Sequence, residues 1–233
     1  MSTDPKRWVA GHVAALPKSP RRIGVVGLGT GTTATLFIRE LAGRRLDIRC
    51  VASSDASHDL AKSLGMRVET LVELPDLDVY IDGADEVCSN SVVGSGGGLD
   101  LIKGGGGALL REKIVASAAK SFIVVADSTK LVRVLGKFPL PVEVVQMALP
   151  VVEPKLAALG LNPKLRRSKS GVGPYLTDEG NYILDCACGR IDEPEVIAAE
   201  IRGMVGVVEH GLFLGMATLA LVGGADGVTE YRA

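Results

Sequence analysis

The first half of the chain alternates short apolar segments with segments of helical periodicity, and this alternation constrains the fold more than any other feature. The apolar segments are β-branched and continuous, which is typical of strands buried on both faces of a parallel sheet. The predicted strands are Arg22–Gly27, Ile48–Ser53, Arg67–Leu71, Asp78–Ile81 and Phe122–Ala126, and the predicted helices are Thr33–Leu41, Ser57–Leu64 and Ala108–Ala119. Repeated strand–helix–strand units predict an α/β fold.

The pattern changes after Asp127. The segments there are a strand at Val142–Val145, a helix at Val151–Leu159, a hairpin over Pro174–Ala187 with its turn at Asp178-Glu179-Gly180, and an amphipathic helix at Glu193–Met204. This order is typical of a small α+β unit rather than of a continued parallel sheet. We expect the last apolar segment, from about Val207, to return to the first domain.

Composition excludes several classes of function. The 233 residues carry a formal net charge of −1, so no basic field exists to hold nucleic acid, and only 4% are aromatic, which disfavours a base-stacking platform. The longest apolar run, Leu212–Gly224, is shorter than the roughly 20 residues of a membrane span. Met1–Arg22 is polar and interrupted by prolines, unlike a signal peptide. We therefore expect a cytoplasmic protein with neither nucleic-acid nor membrane partners.

The cysteines and histidines do not predict a metal site. Only Cys186 and Cys188 lie close together, and a lone C-x-C lacks the second ligand pair of a zinc site. Alternating positions on a strand explain that pair better, so we predict buried free thiols. The three histidines have no metal-ligand spacing.

Glycine is about 12% of the chain and is clustered, which favours backbone that closely approaches a ligand. The first cluster, Gly29-Thr30-Gly31-Thr32-Thr33, lies between a predicted strand and a predicted helix. Free N–H groups at a helix start, together with threonine hydroxyls, favour a single phosphate. The dinucleotide fingerprint requires a third glycine where Thr32 stands. The alternative is a glycine-rich turn with a threonine N-cap.

Carboxylates follow the strand that ends at Ile81, in the motif Asp82-Gly83-Ala84-Asp85-Glu86. Ligands of open α/β sheets bind at the carboxyl ends of strands, so these acids are candidates for a substrate crevice. A solvated turn with a helix cap, or a Mg²⁺ site, remains the alternative.

The third motif, Lys103-Gly104-Gly105-Gly106-Gly107-Ala108, leads into a helix that carries Glu112. Successive glycines each cost about 0.5–1 kcal/mol relative to alanine, which is understandable if the backbone wraps a substrate. A lysine can stabilise an oxyanion, and an enclosed glutamate can act as a general base. The alternative is a flexible linker followed by an exposed Glu-Lys helix.

Two basic features complete the inventory. Lys130 follows the predicted strand end at Ala126-Asp127, again on the ligand-binding edge. The run Lys164, Arg166, Arg167 and Lys169 is interpreted as a solvated face.

Together these motifs resemble ribose-5-phosphate isomerase of the A type over nearly the whole chain. The further segments that carry the resemblance are Arg111-Glu112-Lys113, Gly136–Val144, Asn181–Asp185 and Gly206–Phe213. The resemblance implies a Rossmann-like domain, residues 1–130 plus 206–233, interrupted by a small α+β domain, residues 131–205, in homodimers or homotetramers. It also implies a cofactor-free interconversion of D-ribose 5-phosphate and D-ribulose 5-phosphate through a cis-enediolate, in the non-oxidative pentose phosphate pathway.

By the same resemblance, each motif has a role. Glu112 is the base that moves a proton between C1 and C2, Asp82 and Asp85 assist at the sugar oxygens, and Lys103 stabilises the negative oxygen. The substrate's phosphate lies on the Thr30–Thr33 loop beside Lys130, with Lys6 or Arg7 nearby. The implied binding residues are Gly29, Thr30, Gly31, Thr32, Thr33, Gly104, Gly105, Gly106 and Lys130.

The chain departs from the family at Cys88–Leu99, a segment rich in Ser, Gly and Val that lengthens the connection between Glu86 and Lys103. This keeps open an enzyme that isomerises or deaminates another phosphosugar. A sugar-phosphate sensor is disfavoured by the presence of both Lys103 and Glu112 and by the lack of a preceding DNA-binding segment. A nicotinamide oxidoreductase is the weakest alternative, because of Thr32.

Overall fold

The computed structural model describes residues 24–89 and 98–233, which form fifteen strands and five α-helices. The strands are β1 (Val25–Leu28), β2 (Arg49–Ala52), β3 (Arg67–Glu69), β4 (Val79–Asp82), β5 (Glu86–Ser89), β6 (Leu99–Ile102), β7 (Phe122–Asp127), β8 (Leu131–Val132), β9 (Leu140–Val144), β10 (Pro163–Leu165), β11 (Tyr182–Cys186), β12 (Val207–His210), β13 (Leu212–Phe213), β14 (Leu219–Gly224) and β15 (Gly227–Arg232). The helices are α1 (Thr32–Gly43), α2 (Asp55–Ser63), α3 (Leu109–Ser117), α4 (Leu149–Ala158) and α5 (Pro194–Arg202).

Seven strands form a large sheet in the order β15-β14-β7-β4-β1-β2-β3. Every neighbouring pair in it is parallel except β14 and β15. The prediction of an α/β fold with a parallel sheet is confirmed. Within the described residues, the sheet begins with β1, adds β2 and β3 on one side, and then places β4 and β7 on the other, so the order reverses between β1 and β4.

The large sheet is buried on both faces, as its continuous apolar strands predict. Val79 and Ile81 of β4 pack in a core with Phe37 and Ile38 of α1. The intervening Tyr80 points to the opposite face, into a second core with Val115 of α3. Because side chains alternate along a strand, Asp82 follows Tyr80 onto the α3 side.

Two four-stranded sheets complete the architecture. The small sheet is antiparallel, in the order β10-β11-β9-β12, and its core is closed by residues of α4 and α5. The third sheet has the order β13-β6-β5-β8. The pairing of β12 with β9 attaches residues 207–210 to the small sheet, and β14 makes the return to the large sheet. The division into two domains at residues 130 and 206 stays a prediction.

Two local predictions are wrong in part. The predicted hairpin over 174–187 has its turn, with Gly180 at φ 75°, but only Tyr182–Cys186 is a strand, and it pairs with β9 and β10 instead. The first arm bonds across the turn only at Thr177, whose N–H donates to the Asn181 carbonyl, while Pro174 and Tyr175 pair with Arg167 and Arg166. In the predicted loop Cys88–Leu99, both ends belong to the paired strands β5 and β6, because Ser89 pairs with Leu99. Residues 90–97 lie outside the described residues.

All four cysteines are free, and three of them are buried, with Cys188 half-buried. Within the two described ranges, no helix is long and apolar enough to cross a bilayer.

Candidate active site

The candidate site lies where the strand order of the large sheet reverses. Gly29–Thr33 spans the loop after β1 and the start of α1, and Asp82–Asp85 spans the last residue of the adjacent β4 and the loop after it. Open α/β sheets bind ligands at the carboxyl ends of strands at such a reversal. The topology therefore brings together two motifs that are more than fifty residues apart in the sequence.

Asp82 is the anchor of this edge. Its Oδ1 accepts hydrogen bonds from the backbone N–H groups of Thr30 (2.9 Å) and Gly83 (2.7 Å). Its Oδ2 accepts from Lys103 Nζ at 2.7 Å and from the Tyr80 hydroxyl. A carboxylate has about four lone-pair sites, so Asp82 is fully occupied by the protein. Its side chain is buried and links the two loops to Lys103.

The glycines of the first loop are required by close approach and by backbone conformation. A Cβ at Gly29 would stand 2.1 Å from Asp82 Oδ1. Gly31, at φ 96°, is the N-cap of α1 and offers no side chain to the helix, so the alternative of a threonine N-cap is wrong. Thr32 and Thr33 open the helix. No acidic residue lies in that first turn, which leaves the positive helix end free to attract an anion.

Lys103 and Glu112 form a buried ion pair. Lys103 follows β6, and Glu112 lies in the first turn of α3; each is 3% exposed. Lys103 Nζ lies 3.3 Å from Glu112 Oε2, an oxygen that accepts no hydrogen bond. Besides its bond to Asp82, Lys103 Nζ donates a hydrogen bond of 2.7 Å to the carbonyl of Gly83. The interpretation of this region as a flexible linker with an exposed Glu-Lys helix is therefore wrong: Lys113 is buried too, bonded to Glu209.

Burial and charge act in opposite directions on this pair. Burial raises the pKa of Glu112 above its ordinary value, the charge of Lys103 opposes that rise, and Asp82 and Asp85 add to it. Burial also lowers the pKa of Lys103, but the carboxylates of Asp82 and Glu112 more than offset this, so the net pKa is raised. Lys103 is therefore a permanent cation beside a carboxylate that takes up a proton more readily than usual.

Asp85 and the glycine loop form the opposite wall. Asp85 Oδ2 accepts a hydrogen bond of 2.7 Å from Gly105 N–H, and a Cβ at Gly105 would stand 2.7 Å from Asp85 Oδ1. Gly104 and Gly107 have φ of 103° and 91°, a region that glycine adopts without strain.

A cavity of about 300 Å³ joins these elements. Its wall contains Thr30, Gly31, Thr32, Thr33, Gly83, Ala84, Asp85, Lys103, Gly104, Gly105, Gly106, Glu112, Lys130 and Lys169. The structure thus brings every proposed site residue to one cavity except Gly29 and Asp82, which lie behind its wall. Lys6 and Arg7 lie outside the described residues.

Four residues of this site were missed by the sequence interpretation. Lys169 is exposed but lines the cavity, and Arg166 is half-buried and donates to the carbonyl of Gly104, so a solvated face is wrong for Arg166. Tyr175 donates to the carbonyl of Gly106. Tyr80 was hidden in an apolar strand, although its position two residues before Asp82 is a signal that both share a face.

Comparison with known proteins agrees with this geometry. Residues 49–227 match the family model described as ribose 5-phosphate isomerase A (phosphoriboisomerase A). A ribose-5-phosphate isomerase A of Roseiflexus sp. (strain RS-1) is 50% identical over 214 residues, which cover 89% of this chain and 88% of that protein.

Two solved structures are similar over their whole length. The ribose 5-phosphate isomerase A of Methanocaldococcus jannaschii has a TM-score of 0.89 and 39% identity, with 99% of each chain covered. A D-ribose-5-phosphate isomerase in complex with phospho-erythronic acid has a TM-score of 0.89 and 35% identity, with 100% of each chain covered. With its fold, its motifs and its site geometry in agreement, the chain belongs to the ribose 5-phosphate isomerase A family.

Proposed function

We propose that this protein interconverts D-ribose 5-phosphate and D-ribulose 5-phosphate in the non-oxidative pentose phosphate pathway. The observation that carries the proposal is the buried pair of Lys103 and Glu112, in a cavity that also contains an uncapped helix start. This combination offers a base, a fixed positive charge and an anion site within one small volume. Family membership supports the same reaction, and the related protein bound to phospho-erythronic acid has a phosphorylated four-carbon ligand.

The phosphate of the substrate binds at the start of α1 in this proposal. The N–H groups of Gly31, Thr32 and Thr33 and the hydroxyls of Thr32 and Thr33 donate to its oxygens, and the helix dipole favours its charge. Lys130 and Lys169 line the same cavity and supply positive charge. Binding energy from the phosphate, remote from the reacting carbons, holds the open-chain sugar in a reactive orientation.

Glu112 is the base that moves the proton. It removes the proton from C2 of the open-chain aldose, and the electron pair forms the C1–C2 double bond of the cis-enediolate while the carbonyl oxygen on C1 takes the negative charge. Glu112 then returns its proton to C1, and a hydroxyl proton passes from the oxygen on C2 to that on C1. The reaction balances without an electron acceptor, so we propose no cofactor.

Lys103 stabilises the charge that develops on oxygen. An ammonium group has three N–H donors, and two are held at 2.7 Å by Asp82 and the Gly83 carbonyl. The third faces Glu112 across the longer contact of 3.3 Å and is the donor that a substrate oxygen can take. Because the ammonium group is already held in place, it does not have to reorient as the negative charge develops on the substrate oxygen.

The two aspartates have different roles in this proposal. Asp85 lines the cavity and assists ring opening and proton movement at the sugar oxygens. Asp82 acts as a positioning residue, because its four hydrogen bonds are all made within the protein.

Proton NMR of the EDTA-treated protein with D-ribose 5-phosphate in D₂O tests the reaction. We expect ribulose 5-phosphate to appear with solvent deuterium at the exchanging carbon. Partial retention of protium would further indicate a single base that shuttles the proton. Binding of D-ribose 5-phosphate without turnover would contradict the proposal and favour a sugar-phosphate sensor. Turnover of a different phosphosugar, but not of D-ribose 5-phosphate, would favour an enzyme that isomerises or deaminates that other sugar.

We also propose a cytoplasmic homodimer or homotetramer. Val145, Met147, Val151 and Val205 expose large apolar side chains, and the bond from Val145 N–H to the Gly206 carbonyl places Val205 beside Val145. Clustered exposed apolar residues are typical of an interface. Light scattering of the parent and of Met147→Glu tests this, since a smaller assembly is expected for the variant and an unchanged mass would exclude this surface.

A further inference from the structure

The Gly104–Gly107 loop connects Lys103 to the helix that carries Glu112, yet it has little means of holding its own shape. Glycine has more backbone freedom than any other residue, so a run of four loses the most entropy on becoming ordered. The bond from Gly107 N–H to the Gly104 carbonyl, at 3.0 Å, closes a turn within the loop. A single turn does not determine where the loop lies relative to the cavity.

Arg166 supplies external contacts from the small sheet. Its Nη1 donates to the carbonyls of Gly104 at 3.0 Å and Gly105 at 3.3 Å. Its Nε and Nη2 donate to the two carboxylate oxygens of Asp185 on β11, at 2.9 and 2.5 Å. A bidentate arginine–carboxylate pair fixes the plane of the guanidinium, so the group that holds the loop is itself rigidly held.

Tyr175 extends this contact along the loop. Its hydroxyl donates to the Gly106 carbonyl at 3.3 Å, and its ring lies 5.8 Å from the Arg166 guanidinium carbon. Three consecutive carbonyls, those of residues 104 to 106, therefore face Arg166 and Tyr175. A Cβ at Gly107 would stand only 2.2 Å from the Tyr175 hydroxyl, so the two surfaces are in close contact.

The orientation of these carbonyls decides the orientation of the amides on the cavity side. A peptide group is planar, with its N–H opposite its C=O. When the Gly104 carbonyl faces Arg166, the Gly105 N–H must face the other way, where it donates to Asp85 Oδ2 at 2.7 Å. Arg166 thus acts through one peptide group on a carboxylate of the cavity wall.

We propose that Arg166, oriented by Asp185, is a positioning residue for catalysis: it holds the Gly104–Gly107 loop so that Asp85 and Lys103 keep their places opposite Glu112. Arg166 does not line the cavity and takes no part in proton transfer. This inference rests on the proposed isomerase function. In this proposal, residues of the small sheet position the catalytic residues at the edge of the large sheet.

Arg166→Met and its neighbour Arg167→Met form the matched test. Arg167 is exposed and its side chain makes no hydrogen bond or ion pair found among the described residues, so the two variants lose the same charge from adjacent positions. We expect kcat to fall about 10–100-fold in Arg166→Met, the range in which a small misplacement of catalytic groups acts. We expect Arg167→Met to stay within twofold of the parent.

Chemical rescue separates positioning from a general structural role. In Arg166→Ala, guanidinium at concentrations that do not unfold the protein is expected to restore part of kcat, while Arg166→Lys, which cannot bond both Asp185 and the two carbonyls, is intermediate. A folded Arg166→Met with kcat and KM within twofold of the parent overturns the proposal.

If Arg166→Met is unfolded at the assay temperature, the kcat of Asp185→Asn tests the proposal instead. This variant keeps the size of the side chain but loses the bidentate pair, and a kcat equal to that of the parent overturns the proposal. A parent protein without turnover would overturn the proposed function and this inference together, whereas an active parent with unaffected variants overturns this inference alone.

Discussion

Lys103 Nζ stands closer to Asp82 Oδ2, at 2.7 Å, than to Glu112 Oε2, at 3.3 Å, so the lysine is held by one carboxylate and only faces the other. The fully bonded Asp82 is the fixed partner. Glu112 borders the cavity and has an oxygen without a hydrogen bond, which leaves it free to exchange a proton with a substrate.

Glu112→Gln is expected to lose nearly all turnover. The amide keeps the size of the side chain but cannot accept a proton, and a positioned base contributes about 10²–10⁴-fold to such reactions. The measurement is kcat with D-ribose 5-phosphate, with circular dichroism to show that the variant is folded. A variant that kept most of its turnover would show that Glu112 is not the base.

Activity is expected to fall on acidification, at a pH above the ordinary glutamate pKa of about 4.3. Glu112 works when ionised, and burial raises its pKa against the opposing charge of Lys103, so the carboxylate becomes protonated at a higher pH than an exposed one. The pH profile of kcat/KM checks this. In Lys103→Met the opposing charge is gone, and the residual activity should fall at a still higher pH; a shift to lower pH would contradict the electrostatic account.

Lys169→Ala is expected to raise KM about 3–10-fold with little change in kcat, because an exposed cation on the cavity wall adds phosphate affinity that solvent partly screens. Added salt should reduce the difference from the parent. Lys164→Ala is the control, since Lys164 belongs to the same basic run but does not line the cavity. Equal KM values for the parent and Lys169→Ala would remove Lys169 from the phosphate site.

Gly107→Ala is expected to destabilise the protein by about 1–3 kcal/mol, the range for a strained non-glycine residue at positive φ. The added methyl would also displace Tyr175. Gly106→Ala is the control for stability, because Gly106 is not at positive φ and its Cβ would meet nothing nearer than 3.8 Å. Thermal unfolding of the two variants measures the difference. Similar unfolding temperatures would argue against close packing of Tyr175 on the loop.

Much of the fold could be predicted because its signals are local. Short continuous apolar runs rich in β-branched and aromatic residues, such as Val79–Ile81, favour buried strands, and their alternation with helices leaves few arrangements other than a parallel sheet. The segments that failed were those whose partner is distant: Pro174–Thr177 reads as a hairpin arm, yet Thr177 bonds to Glu143 on β9.

The sequence by itself determined part of the chemical inventory of the site. Asp82, Lys103 and Glu112 stand out because they lie in or beside glycine-rich segments that follow strands, where open α/β sheets bind ligands. Their roles depended on geometry. Asp82 and Asp85 belong to one motif, but only the tertiary structure places Asp82 behind the cavity wall and Asp85 in it.

Only the tertiary structure brought in Arg166, Tyr175 and Lys169. Arg166 is 62 residues from the Gly104 carbonyl that it binds. A charge run has the same local pattern whether it faces water or another part of the chain. Periodicity is a property of neighbouring residues, whereas the contact that orients a catalytic loop is made across the packed interface between sheets, and no local pattern encodes it.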